Sequence, residues 1–396
     1  MSRALRLNRN IRLLFWAKVL VNFKTLNAIV TLFYLHRGLT IDQVVWLSMA
    51  FGIVTLVVEV PTGYMADRLG RKPTLLIGVA GLAAASLIHW FAYGFPSFVV
   101  AFAVLAFAGA CFSGTEEALL YDTLKETGRE REMLRHNSRL LSAMNLPKIM
   151  FPALGVLIAQ GLTEPQFHML IGIDLIGLVA AFALLFLVTE PKHAKDVSAL
   201  EKGIFRESVE TIRTQPALFM AAMNKVIPFI ATILVWRIYQ PYLTDHGVPI
   251  LFLGLFYVLI HSVMFFLKWV SEAIENRFGS ARVLDATVVL MTLFLGMAVV
   301  SDSPVVLFAA FGLFFISHNI REPMYAHWIN GRIRSRSRAT TLSNLNIFRS
   351  MLDIPVLWAG GALAARDPRL AFVLAAALCV SVLVFFRIRK QDVDGI

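Results

Sequence analysis

Long apolar runs alternate with short polar turns along almost the whole chain. A helix needs about 20 apolar residues to cross a bilayer, and these runs lack the in–out alternation of membrane-barrel strands. The pattern therefore predicts an all-α membrane protein with twelve transmembrane helices. The predicted spans are 12–36, 41–66, 74–94, 97–123, 139–161, 166–188, 217–243, 249–275, 282–300, 303–329, 338–364 and 368–388.

The longest polar stretch lies between the sixth and seventh spans and divides the twelve helices into two groups of six. We therefore predict a six-helix bundle over 1–188, a linker over 189–216 and a second six-helix bundle over 217–396. The linker sequence "EKGIFRESVETIRTQP" alternates apolar and charged residues at helical spacing. It predicts an amphipathic helix that lies along the membrane surface.

Composition supports the membrane interpretation, and charge sets the orientation. The chain is 58% hydrophobic and only 16% charged, whereas soluble domains carry about 25% charged residues. The net charge of +11 could suggest nucleic acid, but the basic residues concentrate in alternate loops. Only Arg37, Arg366 and Arg369 lie on the opposite side. By the positive-inside rule, both termini are predicted to be cytoplasmic, with no nucleic acid as partner.

Several other classes of protein are disfavoured by the sequence. Cys111 and Cys379 both fall in apolar segments, so they predict neither a disulfide framework nor a cysteine metal site. No phosphate loop, zinc-protease motif, nucleophile elbow or dinucleotide fingerprint occurs. We therefore expect a protein that is not an enzyme and needs no cofactor or metal, and that draws energy from an ion gradient.

The two halves of the chain resemble each other. The stretch "GYMADRLGRK" after the second span has a degenerate counterpart, "EAIENRFGSA", after the eighth. A second alignment joins the fifth span to the eleventh and sets Lys148 opposite Arg349. Repeats of six helices place a binding site at their interface near the membrane midplane.

The pattern G-x-x-x-D-R-x-G-R-K in this turn resembles the signature loop of the major facilitator superfamily. The resemblance covers the whole chain and implies two pseudo-symmetric six-helix bundles around a central cavity. It further implies that spans 1, 4, 7 and 10 line the cavity, that spans 2, 5, 8 and 11 form its walls, and that the others face lipid. The gating residues that it implies are Gly63, Asp67, Arg68, Gly70, Arg71 and Lys72, with Arg277 in the second copy.

Charged residues inside the spans are the candidates for solute binding, because each is costly in hydrocarbon unless a partner or ligand neutralises it. Lys24 is the most informative, since it lies halfway along the first span, from where snorkelling to water is strained. It either pairs with a carboxylate such as Glu116 or serves as an anion-binding or proton-linked lysine. Basic residues at matching depth in both halves, Lys148 and Arg349, favour an anionic or zwitterionic solute. The substrate-binding candidates are Asn22, Lys24, Lys148, Arg237, His318, Arg321, Tyr325 and Arg349.

Carboxylates inside the spans are the candidates for proton coupling. Glu116 and Glu117 point about 100° apart on a helix, and the stripe of small and polar residues favours Glu116 as the one facing the cavity. Fixed ion pairs remain the alternative: Arg349 and Asp353, for example, are spaced to pair within one helix. The candidates for proton coupling are Glu59, Glu116, Glu322 and Asp353.

These observations predict a secondary transporter of the inner membrane, monomeric and working by alternating access. Its partners would be a small organic solute, protons and the lipid bilayer. Efflux of drugs in exchange for protons is one alternative, although the fourth span lacks the arginine typical of such exporters. A lipid translocator, or a sensor that does not transport, is another.

Overall fold

The computed structural model describes residues 2–192, 216–332 and 338–388. The amphipathic helix predicted in the linker lies outside these described residues. All candidate site residues named above lie within them.

Helices account for nearly all of the described residues, and no strand occurs in those ranges. The predicted all-α fold is therefore confirmed. Two short 3₁₀ helices, Thr25–Ile29 and Glu130–Glu132, interrupt the α-helical order. The α-helices are α1 Arg3–Val21, α2 Val30–His36, α3 Ile41–Leu69, α4 Arg71–Phe91, α5 Gly94–Phe112, α6 Thr115–Glu126, α7 Met133–Ser142, α8 Asn145–Ile158, α9 Glu164–Phe186, α10 Pro216–Asp245, α11 Ile250–Phe278, α12 Ser280–Val300, α13 Pro304–Arg332, α14 Arg338–Arg366 and α15 Pro368–Phe385.

Eleven helical segments in the described ranges have the length and hydropathy of membrane spans. Helices α1 and α2 together form the first span, α5 and α6 the fourth, and α7 and α8 the fifth. The predicted span 338–364 corresponds to the continuous helix α14. Its sequence is less apolar than the other spans because it carries residues such as Arg349 and Asp353.

The described chain divides into two compact units. The first turns of α3 belong to unit 2, where the Trp46 indole nitrogen donates to the Trp358 carbonyl oxygen at 3.2 Å. Within the described ranges, unit 1 contains 2–39 and 50–192, and unit 2 contains 40–49, 216–332 and 338–388.

The core of unit 1 is made of small and aliphatic side chains from four spans. Leu14 of α1, Val79 of α4, Leu119 of α6 and Leu178 of α9 are each at most 1% exposed and belong to one buried cluster. Helix α4 packs closely on α5, where a Cβ added at Gly78 would lie 3.0 Å from the Cβ of Cys111. This tight packing gives the polar groups of unit 1 a rigid frame.

The first span is not the continuous helix that its hydropathy predicts. Helix α1 ends at Val21, and the chain resumes as a 3₁₀ helix at Thr25, with Lys24 in a non-helical conformation between them (φ −140°, ψ 68°). The Asn22 side chain turns back and donates to the Lys18 carbonyl oxygen at 2.7 Å. One carbonyl freed by the end of α1 is thereby satisfied.

The far side of this break is held by Asp174 of α9. Its Oδ1 accepts from the Thr25 backbone N–H and from the Thr25 hydroxyl, both at 2.9 Å. Two glycines let neighbouring helices approach the break closely: a Cβ at Gly155 would overlap the Thr25 carbonyl oxygen, and one at Gly177 would lie 3.1 Å from the Leu20 carbonyl oxygen. The break is therefore a packed and hydrogen-bonded feature.

The fourth span is broken as well. Gly114 has a positive φ of 69°, which is unstrained only for glycine, and it separates α5 from α6. Helix α6 then begins at Thr115 and carries Glu116 and Glu117 in its first turn. A helix N-terminus favours negative charge, so this break provides a favourable site for the two carboxylates.

We predict that Gly155→Ala destabilises the protein by about 1–3 kcal/mol, the usual cost of inserting an atom into a packed core. The added methyl group meets a backbone carbonyl, which cannot move aside without disturbing the break. Thermal unfolding of the purified protein in detergent measures the effect.

Gly109→Ala is the matched control, since a Cβ there would meet no atom of the described chain within 4 Å. It should leave the melting temperature unchanged or raise it, because alanine favours a helix over glycine. Equal melting temperatures for the two variants would contradict the packing at Gly155.

Candidate functional site

The signature turn between α3 and α4 is held by a carboxylate from the end of the sixth span. Gly70 has a φ of 102°, and α4 starts at the next residue. The Glu190 carboxylate accepts from the backbone N–H groups of Arg71 (2.8 Å) and Lys72 (2.7 Å). A negative charge thus caps the N-terminus of α4, where the helix dipole favours it. Sequence reasoning did not single out Glu190.

Side chains of the signature turn extend this network within unit 1. The Arg71 guanidinium pairs with Asp122 of α6 at 3.0 Å, and Lys72 Nζ donates to the Phe186 carbonyl oxygen at 2.8 Å. Other members of the motif are not closely packed. Asp67 and Arg68 are exposed, and a Cβ at Gly63 would meet no described atom within 4 Å. The turn therefore ties α4 to the ends of the fourth and sixth spans.

The second copy of the turn has the same backbone conformation. Gly279, which aligns with Gly70, has a φ of 79° and precedes α12. Arg277 is exposed, with its guanidinium carbon 5.5 Å from the centre of the Phe278 ring. The Ser280 hydroxyl donates to Glu275 at 2.5 Å. A glycine of positive φ thus starts the helix after both copies.

The lysines of the first span have separate carboxylate partners. Lys18 forms an ion pair with Glu116, whose side chain is 10% exposed. Lys24 is half-buried and interacts electrostatically with Asp174, which is 7% exposed. Of the two readings for Glu116, the structure shows an ion pair, but with Lys18 rather than Lys24. Asp174 is not among the candidate residues predicted from the sequence.

Two further candidates of unit 1 lie on other helices. Glu59 is half-buried on α3, and its carboxylate has no ion-pair partner among the described residues. Lys148 is half-buried on α8. The structure thus brings together Lys24 and Asn22 at the break, but does not place Glu59 beside them.

Arg321 and Tyr325 lie in the interior of unit 2. Arg321 is 2% exposed, and its two terminal nitrogens make five hydrogen bonds to neutral acceptors. The acceptors are the Leu284 and Asn224 carbonyl oxygens, the Thr287 hydroxyl, the Asn224 amide oxygen and the Tyr325 hydroxyl, at 2.6–2.8 Å. The guanidinium therefore joins α10, α12 and α13 without a carboxylate.

The neighbouring face of α13 is polar and more open. Glu322 pairs with Lys225 of α10 at 2.8 Å, and their side chains are 63% and 34% exposed. Arg237, further along α10, donates from Nε to the Ser48 hydroxyl at 2.7 Å within unit 2. Glu322 and Arg237 thus have protein partners, and Ser48 was not anticipated from the sequence.

Two candidate residues lie beside the aromatic ring of Phe229 on α10, and a third pairs with one of them. The centre of the Phe229 ring lies 5.0 Å from the Arg349 guanidinium carbon and 6.0 Å from the His318 ring centre. Arg349 in turn pairs loosely with Asp353, with 3.7 Å between Nε and Oδ2. We call these four residues, Phe229, His318, Arg349 and Asp353, the Phe229 cluster. It joins α10, α13 and α14.

The Phe229 cluster contains buried polar atoms that lack hydrogen bonds. They are His318 Nδ1, Arg349 Nε and Asp353 Oδ1, none of which has a partner in the described chain. Unsatisfied buried polar atoms are costly, so native proteins rarely keep them without a reason. A guanidinium with an unused donor beside a carboxylate with an unused acceptor has the chemistry to bind an anion and a proton.

A resident metal has no obvious ligand set. The residues that the structure describes contain no group of three His, Cys, Asp or Glu side chains placed to hold an ion.

Charged pairs among helices that are long and apolar enough to span a membrane are typical of multi-pass solute transporters. The sequence profile of the Major Facilitator Superfamily matches residues 19–352. This match covers most of the chain, which therefore belongs to that superfamily and is a transporter rather than an enzyme.

Solved transporter structures share the fold. They include a mutant of the nucleoside transporter NupG, with a TM-score of 0.79 at 11% identity, covering 96% of this chain and 98% of that one. A bacterial homologue of the human lysosomal transporter Spinster has a TM-score of 0.76 at 13% identity and covers 99% and 98%. The D-xylose-proton symporter has 0.73 at 12% and covers 98% of both chains. Comparison with curated protein sequences finds no match.

We predict that Lys18→Met destabilises the protein by about 3 kcal/mol, because removing one partner of a buried pair leaves the other charge uncompensated. The Glu116 side chain that remains is only 10% exposed. Adding Glu116→Gln should restore most of the loss in thermal unfolding of the purified protein.

Lys225→Met serves as the control, since the Lys225–Glu322 pair is 34% and 63% exposed. Exposed pairs contribute about 0–1 kcal/mol, so a small effect is expected. A double variant at Lys18 and Glu116 that is as unstable as Lys18→Met would contradict the role of the pair.

Proposed function

We propose that this transporter carries a small organic solute with at least one anionic group, coupled to protons, by alternating access. It works as a monomer in the inner membrane, with both termini in the cytoplasm. The observation that carries the proposal is the Phe229 cluster, in which a cation and a carboxylate each hold an unsatisfied buried atom.

Arg349 is suited to bind the anionic group of the solute. Its Nε–H lies 3.7 Å from Asp353 Oδ2, which is too far for a hydrogen bond, so the donor is unused. The Phe229 ring, 5.0 Å away, supports the guanidinium from one side. A planar guanidinium binds carboxylate or phosphate through two parallel hydrogen bonds. A solute anion would therefore satisfy the unused donor.

Asp353 is suited to bind the coupled proton. The residue is 6% exposed, and its Oδ1 accepts no hydrogen bond. A proton on this carboxyl removes its negative charge and weakens its attraction for Arg349, which frees the guanidinium for the solute. Bound proton and bound anion then favour each other, and thermodynamic linkage makes this coupling reciprocal. Such mutual stabilisation favours symport over exchange.

Lys24 provides a second cation in unit 1. Its carboxylate neighbour Asp174 already receives two hydrogen bonds from Thr25 on Oδ1. Lys24 donates no hydrogen bond to the described residues, so its ammonium protons are available to an anionic ligand. Glu116, by contrast, is engaged with Lys18.

One solved neighbour with this fold is a D-xylose-proton symporter, which supports proton coupling. Others are a nucleoside transporter and a peptide transporter. Their solutes differ while the fold is shared. The preference for an anionic group rests therefore on Arg349 and Lys24, and not on these neighbours.

A panel of organic acids, amino acids, sugars, nucleosides and the lipophilic cation tetraphenylphosphonium tests the solute class by thermal stabilisation. We expect organic acids or amino acids to stabilise the protein. Arg349→Gln should weaken the apparent affinity about 10- to 100-fold, the loss expected when a charged hydrogen-bond donor is removed. Arg366→Gln, an exposed arginine on the same helix, is the matched control and should bind normally.

Proteoliposomes loaded with a pH-sensitive dye test the coupling with the same solutes. Solute added outside should carry protons inward in the native protein. Asp353→Asn should abolish this proton movement while solute exchange across the membrane continues, because a neutral amide mimics the protonated carboxyl. Stabilisation by tetraphenylphosphonium alone, unaffected by Arg349→Gln, would contradict the proposal and favour drug efflux. A lack of exchange with any stabilising solute would favour a sensor.

A further inference from the structure

A cavity of about 350 Å³ lies within unit 1, apart from the residues considered so far. It is formed by the middle of α1, by Leu120 of α6 and by α7. Leu120 lies two residues before Asp122, the partner of Arg71, so the cavity is near the end of unit 1 that carries the signature turn. This is the end predicted to be cytoplasmic from the basic loops.

Two arginines at the cavity form no ion pair with the residues that the structure describes. Arg12 of α1 and Arg139 of α7 both line it and are exposed, and neither forms an ion pair within the described residues. Arginines elsewhere at this end do pair, as with Arg129, which binds Glu132 at 2.8 Å. Two unpaired guanidinium groups on one cavity make it attractive to an anion.

A buried histidine adds a polar atom without a partner. His136 lines the cavity and is 7% exposed. Its Nε2 lies 3.2 Å from Glu132 Oε2 and 3.4 Å from Arg129 Nη2, whereas its Nδ1 has no hydrogen-bond partner in the described chain. With a proton on Nδ1, the ring presents a buried N–H that lacks an acceptor. An anionic oxygen in the cavity would provide one.

The rest of the lining is apolar and aromatic. Trp16 is 57% exposed and packs edge-on against Phe15, with ring centres 5.4 Å apart. Tryptophan is enriched where a membrane protein meets the head-group region, because its ring is amphipathic. A small soluble anion would not use this surface, whereas the glycerol and acyl part of a lipid would.

We infer that this cavity binds the head group of an anionic phospholipid of the adjacent leaflet. The lipid phosphate lies between Arg12, Arg139 and the Nδ1–H of His136, and its acyl chains run along Trp16 and Phe15. Basic pockets between helices on the cytoplasmic side are suited to such head groups, because that leaflet is rich in anionic lipid. The site is separate from the solute site proposed above.

Titrating the purified full-length protein with phosphatidylglycerol, phosphatidylcholine or inorganic phosphate tests this inference, with thermal unfolding as the readout. Phosphatidylglycerol should raise the melting temperature in a saturable way, and the other two should not. The double variant Arg12→Gln/Arg139→Gln should bind phosphatidylglycerol at least about tenfold more weakly, because two charged contacts are lost.

Arg131→Gln/Arg135→Gln removes the same charge from exposed positions that do not line the cavity, and should leave the affinity unchanged. An equal loss in this control would show attraction to general surface charge and overturn the inference. Stabilisation by inorganic phosphate as strong as that by phosphatidylglycerol would also overturn it, in favour of a soluble anion.

Tryptophan fluorescence gives a readout independent of stability. Phosphatidylglycerol with brominated acyl chains should quench the native protein more than brominated phosphatidylcholine does. The difference should vanish in Trp16→Phe. A difference that persists in Trp16→Phe would place the lipid elsewhere.

Discussion

The absence of water from the hydrocarbon core is the constraint on which this structure depends. A freed backbone group or a charge inside the bundle is costly unless it has a partner within the protein or a bound ligand. The break in the first span meets this demand through two side chains: Asn22 caps the end of α1, and Asp174 receives the donors of Thr25. In unit 2, Arg321 meets it with five neutral acceptors.

The same constraint distinguishes charged residues that stabilise the fold from those that can bind a ligand or a proton. A charge whose hydrogen bonds are all made within its unit, such as Arg321, holds helices together. The Lys18–Glu116 pair joins α1 to α6 in the same way. Where atoms lack hydrogen-bond partners, as on Arg349 and Asp353, a bound ligand or proton can provide the missing interaction. Our assignment of the solute site follows from this distinction.

The sequence predicted the helical class well, because long apolar runs are a property of composition. It did not predict the break before Thr25. Hydropathy depends only on local composition, whereas the break is stabilised by a hydrogen bond from Thr25 to Asp174, 149 residues away. His318 and Arg321 lie one turn apart on α13. Only the fold shows that most acceptors for Arg321 come from other helices, including Asn224 on α10.

Which side chains contact each other was the least predictable feature of the candidate site. A lone carboxylate in an apolar span, such as Asp174, was the one available signal that an inward-facing partner existed. The role of Phe229 had no signal, because a phenylalanine in a membrane helix is ordinary. Only the fold shows that its ring contacts both Arg349 and His318.

The central claim is that solute binding and protonation of Asp353 accompany each other. Infrared difference spectroscopy tests this directly by comparing the protein with and without a stabilising solute. We expect the solute to increase a protonated carboxyl band, which is absent in Asp353→Asn and retained in Glu322→Gln. A solute-induced spectrum identical in the native protein and in Asp353→Asn would contradict it.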